Sequence, residues 1–169
     1  MLTTPRLFLI PLTSAQLLQY LACDGSLEKF LGIRFAERNI PAALREALTN
    51  EIIPAVADKS KNYLFSSLWT GVLKDENCMV GDLCMMGEPN AAGEVEIGYG
   101  IYEAYQNRGL MTECIQGMIA WLATQPNVKS ILASTEKANK ASCRVLEKNM
   151  FSAISEDDNL IHWKLIIKI

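Results

Sequence analysis

The spacing of apolar residues along the chain predicts a mixture of strands and helices. Short apolar runs and period-two alternation predict strands at residues 6–12, 63–73, 78–86, 93–101, 128–134 and 160–169. Apolar residues three and four apart predict helices at residues 14–23, 41–57, 112–124 and 139–149. With one further strand expected between the last helix and residues 160–169, the order is β-α-α-β-β-β-α-β-α-β-β, which is typical of a mixed α/β sheet with helices on its faces.

The connections between these elements predict the strand directions. The strands at 63–73, 78–86 and 93–101 follow one another through short turns and loops, so we expect them to be antiparallel. A helix separates residues 93–101 from residues 128–134, which favours a parallel pair joined by a crossover. The predicted fold class is α/β with one central, mostly antiparallel sheet. A length of 169 residues predicts a single domain, residues 1–169.

Composition excludes several classes of protein. Half of the residues are hydrophobic and 21% are charged, which is typical of a globular domain and not of a disordered chain. The net charge of −3 argues against a nucleic-acid partner. No apolar run approaches the roughly 20 residues that span a bilayer. The N-terminus resembles a first strand more than a signal peptide, so we expect a cytoplasmic protein with no membrane partner.

Cysteine and histidine usage argues against disulfides and a metal site. The five cysteines are odd in number and widely spaced, and no C-x-x-C occurs, which favours reduced and mostly buried thiols. The single histidine, His162, leaves zinc without a recognisable ligand set. We therefore expect no metal cofactor, and we expect His162 to be an exposed structural residue.

The segment from Tyr105 to Glu113, YQNRGLMTE, joins a predicted strand to a strongly periodic helix. Backbone N–H groups at a helix N-terminus have no intrahelical partner, so such a junction can bind phosphate. Gly109 would allow close approach of a ligand, Arg108 adds a charged donor, and Thr112 can cap the helix or bind phosphate. A glycine in such a loop is also compatible with a simple turn. Neither a Walker loop nor a G-x-G-x-x-G motif is present.

Three segments carry a resemblance to a known family: EIGYGIYEAYQNRGLMTE (96–113), NKASCRVLEK (139–148) and TPRLFLIPLT (4–13). They resemble the Q/R-x-x-G-x-G/A loop and flanking motifs of the GNAT superfamily of acyl-CoA N-acyltransferases. Within it, they are similar to the branch that acetylates the N-terminal alanine or serine of ribosomal proteins. Several positions depart from that pattern: Ile10, Glu103, Asn107, Met111 and Met150. At the last of these, we expect Asn149 to supply the left-handed end of its helix.

The resemblance implies acetyl-CoA as co-substrate, held where one parallel pair of strands splays apart. It assigns the following residues to cofactor binding: Gly100, Ile101, Gln106, Asn107, Arg108, Gly109, Leu110, Met111, Thr112, Asn139 and Ser142. A basic stripe on the last predicted helix, formed by Lys140, Arg144 and Lys148, is suited to the CoA 3′-phosphate or is simply solvated.

Two residues are candidates for catalysis. Glu96 lies on the polar face of its strand, where the family often places the carboxylate that removes the amine proton, directly or through water. Glu94 shares that face, and we expect the neighbouring carboxylates to raise the pKa of one of them. By resemblance, Ser142 lies near the departing sulfur and could protonate it. Many members of the family use a tyrosine for this step, and because no tyrosine occurs between Lys129 and Asn159, either Ser142 or water must serve. The alternatives are solvated strand carboxylates and a helix cap at Asn139 beside an incidental Ser142.

The resemblance implies an N-acetyltransferase that moves acetyl from CoA to a primary amine by direct attack in a ternary complex. The acceptor is a protein N-terminus or a small molecule, and acyl groups longer than acetyl stay open, as does a homodimer. We expect residues 27–57 and the turn at residues 155–160 to build the acceptor wall. The alternatives are a non-catalytic CoA-binding regulatory module and, less favoured, a nucleotide-binding protein. The tyrosines at 99, 102 and 105 line the acceptor groove or pack in the core.

Overall fold

A single sheet organises the molecule. The computed structural model describes residues 1–167. Its strands are β1 (Leu2–Thr3), β2 (Leu7–Pro11), β3 (Leu68–Leu73), β4 (Cys78–Met85), β5 (Glu94–Ile101), β6 (Ser130–Glu136), β7 (Ser152–Glu156) and β8 (Leu160–Ile166). Its α-helices are α1 (Ser14–Ala22), α2 (Ser26–Leu31), α3 (Ala42–Ala47), α4 (Ile53–Ala57), α5 (Leu110–Thr124) and α6 (Lys140–Lys148).

The strand order is β1-β2-β3-β4-β5-β6-β8-β7. Every neighbouring pair is antiparallel except β5 and β6, which run parallel. Helix α5 connects these two strands, as a parallel pair requires. The predicted fold class, with a mostly antiparallel sheet and one parallel pair, is confirmed.

Helices cover both faces of the sheet, as predicted. Strand β2 shows this by alternation, since Leu7 and Leu9 are buried in the core that contains α5 and α6. Phe8 and Ile10 pack instead against the core that contains α1 and α2. Side chains of a strand point alternately to opposite faces, so the two cores lie on opposite sides of the sheet.

The strand predicted at residues 63–73 begins later than expected. Residues Tyr63–Phe65 form a 3-10 turn, and β3 starts at Leu68. The Asn62 side chain accepts the N–H of Leu64 at 3.2 Å, and the Trp69 indole donates to the Leu64 carbonyl at 2.9 Å. These local bonds satisfy the backbone in a turn, although the aromatic and apolar composition favours a strand.

The long helix predicted at residues 41–57 is divided into three pieces. Helix α3 is followed by a π-helical turn, Leu48–Ile52, and then by α4. Pro54 provides the reason, because proline has no N–H to donate and its ring clashes with the preceding turn of an α-helix. A wider π turn before proline removes that clash.

Several other boundaries differ from the prediction. Helix α5 begins at Leu110 rather than Thr112, because Gly109 is its N-cap residue. At the end of α6, Met150 and not Asn149 has the left-handed conformation, with φ of 64°. Helix α2 and the short strand β1 were not predicted. The last two residues of the predicted strand 160–169 lie outside the described residues.

Three further observations concern the classes of site considered above. Within residues 1–167, no helix is both long and apolar enough to cross a bilayer. In that same range, no three His, Cys, Asp or Glu side chains are placed to hold a metal ion together. All five cysteines are free thiols; Cys23 is half-buried and the other four are buried.

Candidate active site

The parallel strands β5 and β6 separate part-way along their length. Their pairing runs from Glu94 and Ser130 to Ile97 and Ala133, and ends there. Strand β5 continues to Ile101 while remaining paired with β4 on its other side. The residues of β5 beyond Ile97 therefore leave an opening towards β6, as the sequence resemblance implied.

A cavity of about 530 Å³ occupies this opening and extends to the N-terminus of α5 and the first turns of α6. Its volume falls within the usual range of a small-molecule or cofactor site. Ten of the eleven predicted cofactor-binding residues line it: Gly100, Ile101, Gln106, Asn107, Gly109, Leu110, Met111, Thr112, Asn139 and Ser142. The structure thus brings together residues that the sequence places up to 42 positions apart (100 to 142). Their role in binding stays a prediction.

The loop before α5 forms one end of the cavity. Asn107 has φ of 60° and Gly109 has φ of 72°, so both residues adopt the left-handed conformation. The buried side chains of Leu110 and Met111 anchor the first turn of α5 to the core. The free N–H groups of that turn and the positive end of the helix dipole can then stabilise an anion.

Arg108 is the predicted cofactor residue that does not line the cavity. Its guanidinium forms an ion pair with Glu76 at 2.8 Å and lies 5.2 Å from the centre of the Tyr105 ring. The hydrogen bond from Arg108 lowers the pKa of Glu76 below its usual value. In the structure the β3–β4 turn holds this guanidinium, and Arg108 does not line the cavity, so its binding role stays a prediction.

Arg6, the residue before β2, binds the outside of the same loop, and this contact was not predicted. Its Nη1 donates to the Arg108 carbonyl at 3.0 Å, and its Nε donates to Glu113 at 2.6 Å. In a trans peptide the N–H points opposite to the C=O. A carbonyl of Arg108 directed at Arg6 therefore turns the N–H of Gly109 towards the other side of the loop, where Gly109 lines the cavity.

Glu113 holds Arg6 in place from the first turn of α5. It accepts hydrogen bonds from the Thr4 hydroxyl at 2.6 Å and from the Arg6 backbone N–H at 2.7 Å, besides the bond from Arg6 Nε. Burial raises the pKa of Glu113, but these bonds outweigh burial and leave the pKa lowered. No local sequence pattern indicates this contact, because 107 positions separate Arg6 from Glu113.

Tyr99 and Ser142 form a hydroxyl pair in the wall of the cavity. Ser142 Oγ donates to Tyr99 Oη at 2.7 Å, and Tyr99 Oη donates to the Ser142 carbonyl at 3.1 Å. Burial raises the pKa of Tyr99 to about 12. The tyrosine that the sequence lacks near Ser142 is thus supplied by β5, and both residues line this cavity, which we call the cofactor cavity.

Asn139 caps α6, which is the structural alternative considered for it. Its side chain accepts the N–H of Ser142 at 3.0 Å while also lining the cavity. Of the basic stripe on this helix, Arg144 and Lys148 line the cavity and Lys140 does not. Two cations beside the opening suit a ligand with several phosphate groups.

Glu94 and Glu96 have different surroundings although they share a strand face. Glu94 pairs with Lys164 at 2.7 Å, and this bond lowers the pKa of Glu94. The expectation that the two carboxylates raise the pKa of one is therefore wrong for Glu94. Glu96 is exposed, and its Oε1 lies 3.5 Å from the Ser134 hydroxyl.

His162 extends this row of polar side chains. Its Nδ1 lies 3.0 Å from Ser134 Oγ, and its Nε2 lies 3.3 Å from Asp157 Oδ2. Glu96, Ser134, His162 and Asp157 thus form a chain of contacts on the face opposite α5. His162 is half-buried and bonded at both nitrogens, rather than simply exposed.

Comparison with known proteins identifies the fold and the family. The family model of the acetyltransferase (GNAT) domain matches residues 6–152. The chain belongs to the GNAT acetyltransferase family. A relative from Bacillus subtilis (strain 168), the uncharacterized N-acetyltransferase YjdG, is 30% identical over 100 residues. That match covers 59% of this chain and only 60% of the relative.

Solved GNAT structures share the fold over nearly the whole chain. The ribosomal-protein-S5-alanine acetyltransferase from Vibrio fischeri has a TM-score of 0.70 at 16% identity, covering 97% of this chain and 94% of that one. The spermidine N-acetyltransferase from Vibrio cholerae, solved with CoA and spermine, has a TM-score of 0.64 at 15% identity, covering 95% of each chain. The predicted resemblance to the GNAT family is confirmed, and acetyltransferases named for a ribosomal protein and for spermidine both share this fold.

Proposed function

We propose that this GNAT protein is an acetyl-CoA-dependent N-acetyltransferase that acts on a primary amine by direct attack in a ternary complex. The observation that carries the proposal is the cavity at the separation of β5 and β6. It joins a phosphate-binding helix N-terminus at one end to the Tyr99–Ser142 hydroxyl pair in its wall.

Acetyl-CoA fits this cavity with its diphosphate at the N-terminus of α5. The N–H groups that follow Gly109 donate to the phosphate oxygens, and Arg144 and Lys148 supply positive charge nearby. The pantetheine arm lies along the open edge of β5, where the backbone of Gly100 and Ile101 has no β6 partner. The chain's residues would thereby hold the thioester next to Tyr99.

Transfer requires an amine that has lost its proton. Glu96 is the candidate base, directly or through water. It lies on the face of β5 opposite the cofactor cavity, which is the face from which the amine would approach the thioester. The amine nitrogen then attacks the thioester carbon, the C–N bond forms and the C–S bond breaks. The proton lost before attack goes to Glu96 or solvent, a second proton leaves the nitrogen for water as the amide forms, and the CoA sulfur leaves as a thiolate. Holding both substrates in one site removes much of the entropic barrier.

The Tyr99–Ser142 pair is suited to stabilise the departing thiolate by hydrogen bonding. A phenol of pKa about 12 stays protonated at neutral pH. Full proton transfer to a thiolate of ordinary pKa, about 8.5, would be uphill by roughly 5 kcal/mol. Tyr99 has one hydroxyl proton, which it donates to the Ser142 carbonyl in the structure. It would donate to the sulfur by turning that proton away from the carbonyl while Ser142 still donates to its oxygen, and solvent completes the protonation of the thiolate.

The proposal is tested by thiol release from acetyl-CoA in the presence of a panel of primary amines. We expect Glu96→Gln to lower kcat while CoA binding persists. Saturating CoA should also raise the free energy of unfolding, by about 2.7 kcal/mol at one hundred times its Kd. Binding without thiol release for every amine would instead support the non-catalytic module, and stabilisation by ATP but not CoA would support a nucleotide-binding protein.

A further inference from the structure

A second cavity, of about 380 Å³, opens beside the end of β4. The π turn and α4 contribute Glu51, Ile52 and Ala55 to its wall, and the end of β4 and the segment after it contribute Met85, Met86 and Glu88. Its residues are distinct from those of the cofactor cavity. None of them belongs to the cofactor-binding set predicted from the sequence.

This second cavity adjoins the opposite face of the reacting strand. A Cβ placed on Gly98 would lie 3.0 Å from the methyl carbon of Met86, so Met86 covers Gly98. The next residue along β5, Tyr99, points to the other face and lines the cofactor cavity. Met86 therefore lies between the second cavity and Gly98, and the residue after Gly98 lines the cofactor cavity.

Glu96, the candidate base, lies on the same side as Met86. Glu96 and Gly98 are two residues apart on β5, so their Cα–Cβ directions share one face. The Met86 N–H also donates to the Glu96 carbonyl at 2.9 Å, which ties the two segments together. An amine that reaches Gly98 from the second cavity would meet Glu96 beside it.

The chemistry of the walls limits what the second cavity can hold. Ile52, Ala55 and the methionines provide apolar surface, and methionine adapts to flexible apolar ligands. Glu51 and Glu88 carry negative charge at the rim against one cation, Lys61. Ser66, 8% exposed, adds a single buried hydroxyl. Such a site suits an apolar chain with a cationic amine and offers few polar groups to an extended peptide backbone.

We infer that the second cavity holds the acceptor, and that the acceptor is a small primary amine with an apolar body rather than a protein N-terminus. This inference rests on the proposed function. Strand β4 is paired on both edges, with β3 and β5, so it presents no free edge to which a peptide strand could add. The acceptor wall expected from the sequence, residues 27–57, contributes its C-terminal part to the cavity.

The test compares unbranched alkylamines of two to eight carbons with a peptide of free N-terminal alanine as acceptors. Ala55→Trp fills the cavity, and we expect it to raise KM for the preferred alkylamine at least tenfold, with KM for acetyl-CoA unchanged. Ala57→Trp, on the exposed side of the same helix, is the matched control and should leave both constants within twofold. Ile52→Ala enlarges the cavity and should move the preferred chain length upward by one or two carbons.

The outcomes separate the two proposals. If no amine and no peptide releases thiol, the proposed function fails and this inference fails with it. If alkylamines react but neither Ala55→Trp nor Ile52→Ala changes KM or chain-length preference, only the assignment of the cavity is overturned. A peptide with a higher kcat/KM than every alkylamine would overturn the choice of acceptor while leaving acetyl transfer intact.

Discussion

Arg6 provides the sharpest test of how the proposed phosphate-binding loop is held in shape. Replacing it in Arg6→Gln removes the bond from Nη1 to the Arg108 carbonyl, at 3.0 Å, and the ion pair with Glu113, at 2.6 Å. The peptide between Arg108 and Gly109 then loses the contact that fixes its orientation. The N–H of Gly109 is no longer held towards the cavity.

The size of the effect follows from the exposure of the two partners. The Arg6 side chain is 47% exposed, so its ion pair is partly screened, whereas the Glu113 side chain is only 11% exposed. A hydrogen bond to a charged group contributes about 1.5–3 kcal/mol when shielded and less at the surface. We therefore expect Arg6→Gln to lower the free energy of unfolding by about 2 kcal/mol. Losing one aligned N–H donor should raise KM for acetyl-CoA about tenfold, which corresponds to roughly 1.4 kcal/mol.

The assay compares acetyl-CoA with S-acetylpantetheine, which lacks the diphosphate. We expect Arg6→Gln to reduce kcat/KM for acetyl-CoA about tenfold and to leave kcat/KM for S-acetylpantetheine within twofold. Arg108→Gln is the control, because its guanidinium is held by Glu76 outside the cavity, and its effect on KM should be under threefold. An equal loss of kcat/KM with acetyl-CoA and with S-acetylpantetheine would refute the reasoning, since that result indicates general disruption of the fold.

Three further changes test other parts of the site. Tyr99→Phe keeps the ring but removes the hydroxyl bonded to Ser142, so kcat should fall at least tenfold with KM for acetyl-CoA little changed. Steady-state thiol release measures both constants, and an unchanged kcat would contradict a role for the hydroxyl. Gly109→Ala places a side chain at φ of 72°, which should cost about 1–2 kcal/mol in thermal unfolding and raise KM for acetyl-CoA; an unaltered Tm would contradict the strain. Burial raises the pKa of Asp82, although Tyr20 and Tyr102 donate hydrogen bonds to its carboxylate. The contribution of Asp82 to stability is therefore present below its usual pKa near 4 and is lost as the pH rises. In denaturant unfolding, Asp82→Asn should lose less stability from pH 5 to pH 8 than the parent protein, and parallel pH profiles would refute this.

The elements and the loop at the cofactor cavity could be predicted because their determinants are local. Apolar spacing within one segment defines the inner face of α5, and Gly109 marks the point where its helix begins. The same locality explains why ten of the eleven predicted cofactor residues line one cavity. They belong to three short segments, each placed by its own strand or helix end.

The contacts that orient the site could not be predicted in this way, because they join distant segments. Arg6 and Glu113 are 107 positions apart, and Tyr99 and Ser142 are 43 apart. For Arg108, the position in the loop predicts a ligand contact, but the partner of its guanidinium comes from a distant segment. The turn between β3 and β4 supplies Glu76 as a partner, and no spacing in the sequence indicates that turn's position.

The position of β8 distinguishes the two carboxylates of β5. Because β8 lies between β6 and β7, Lys164 is paired with Leu132, the residue that faces Glu96 across β5 and β6. From there its ammonium reaches diagonally to Glu94 and forms the 2.7 Å ion pair. Within residues 1–167, no ion pair involves Glu96, whose neighbour is the neutral hydroxyl of Ser134. Binding to an ammonium makes Glu94 a weaker proton acceptor, so the strand order argues against Glu94 as the base of the proposed reaction.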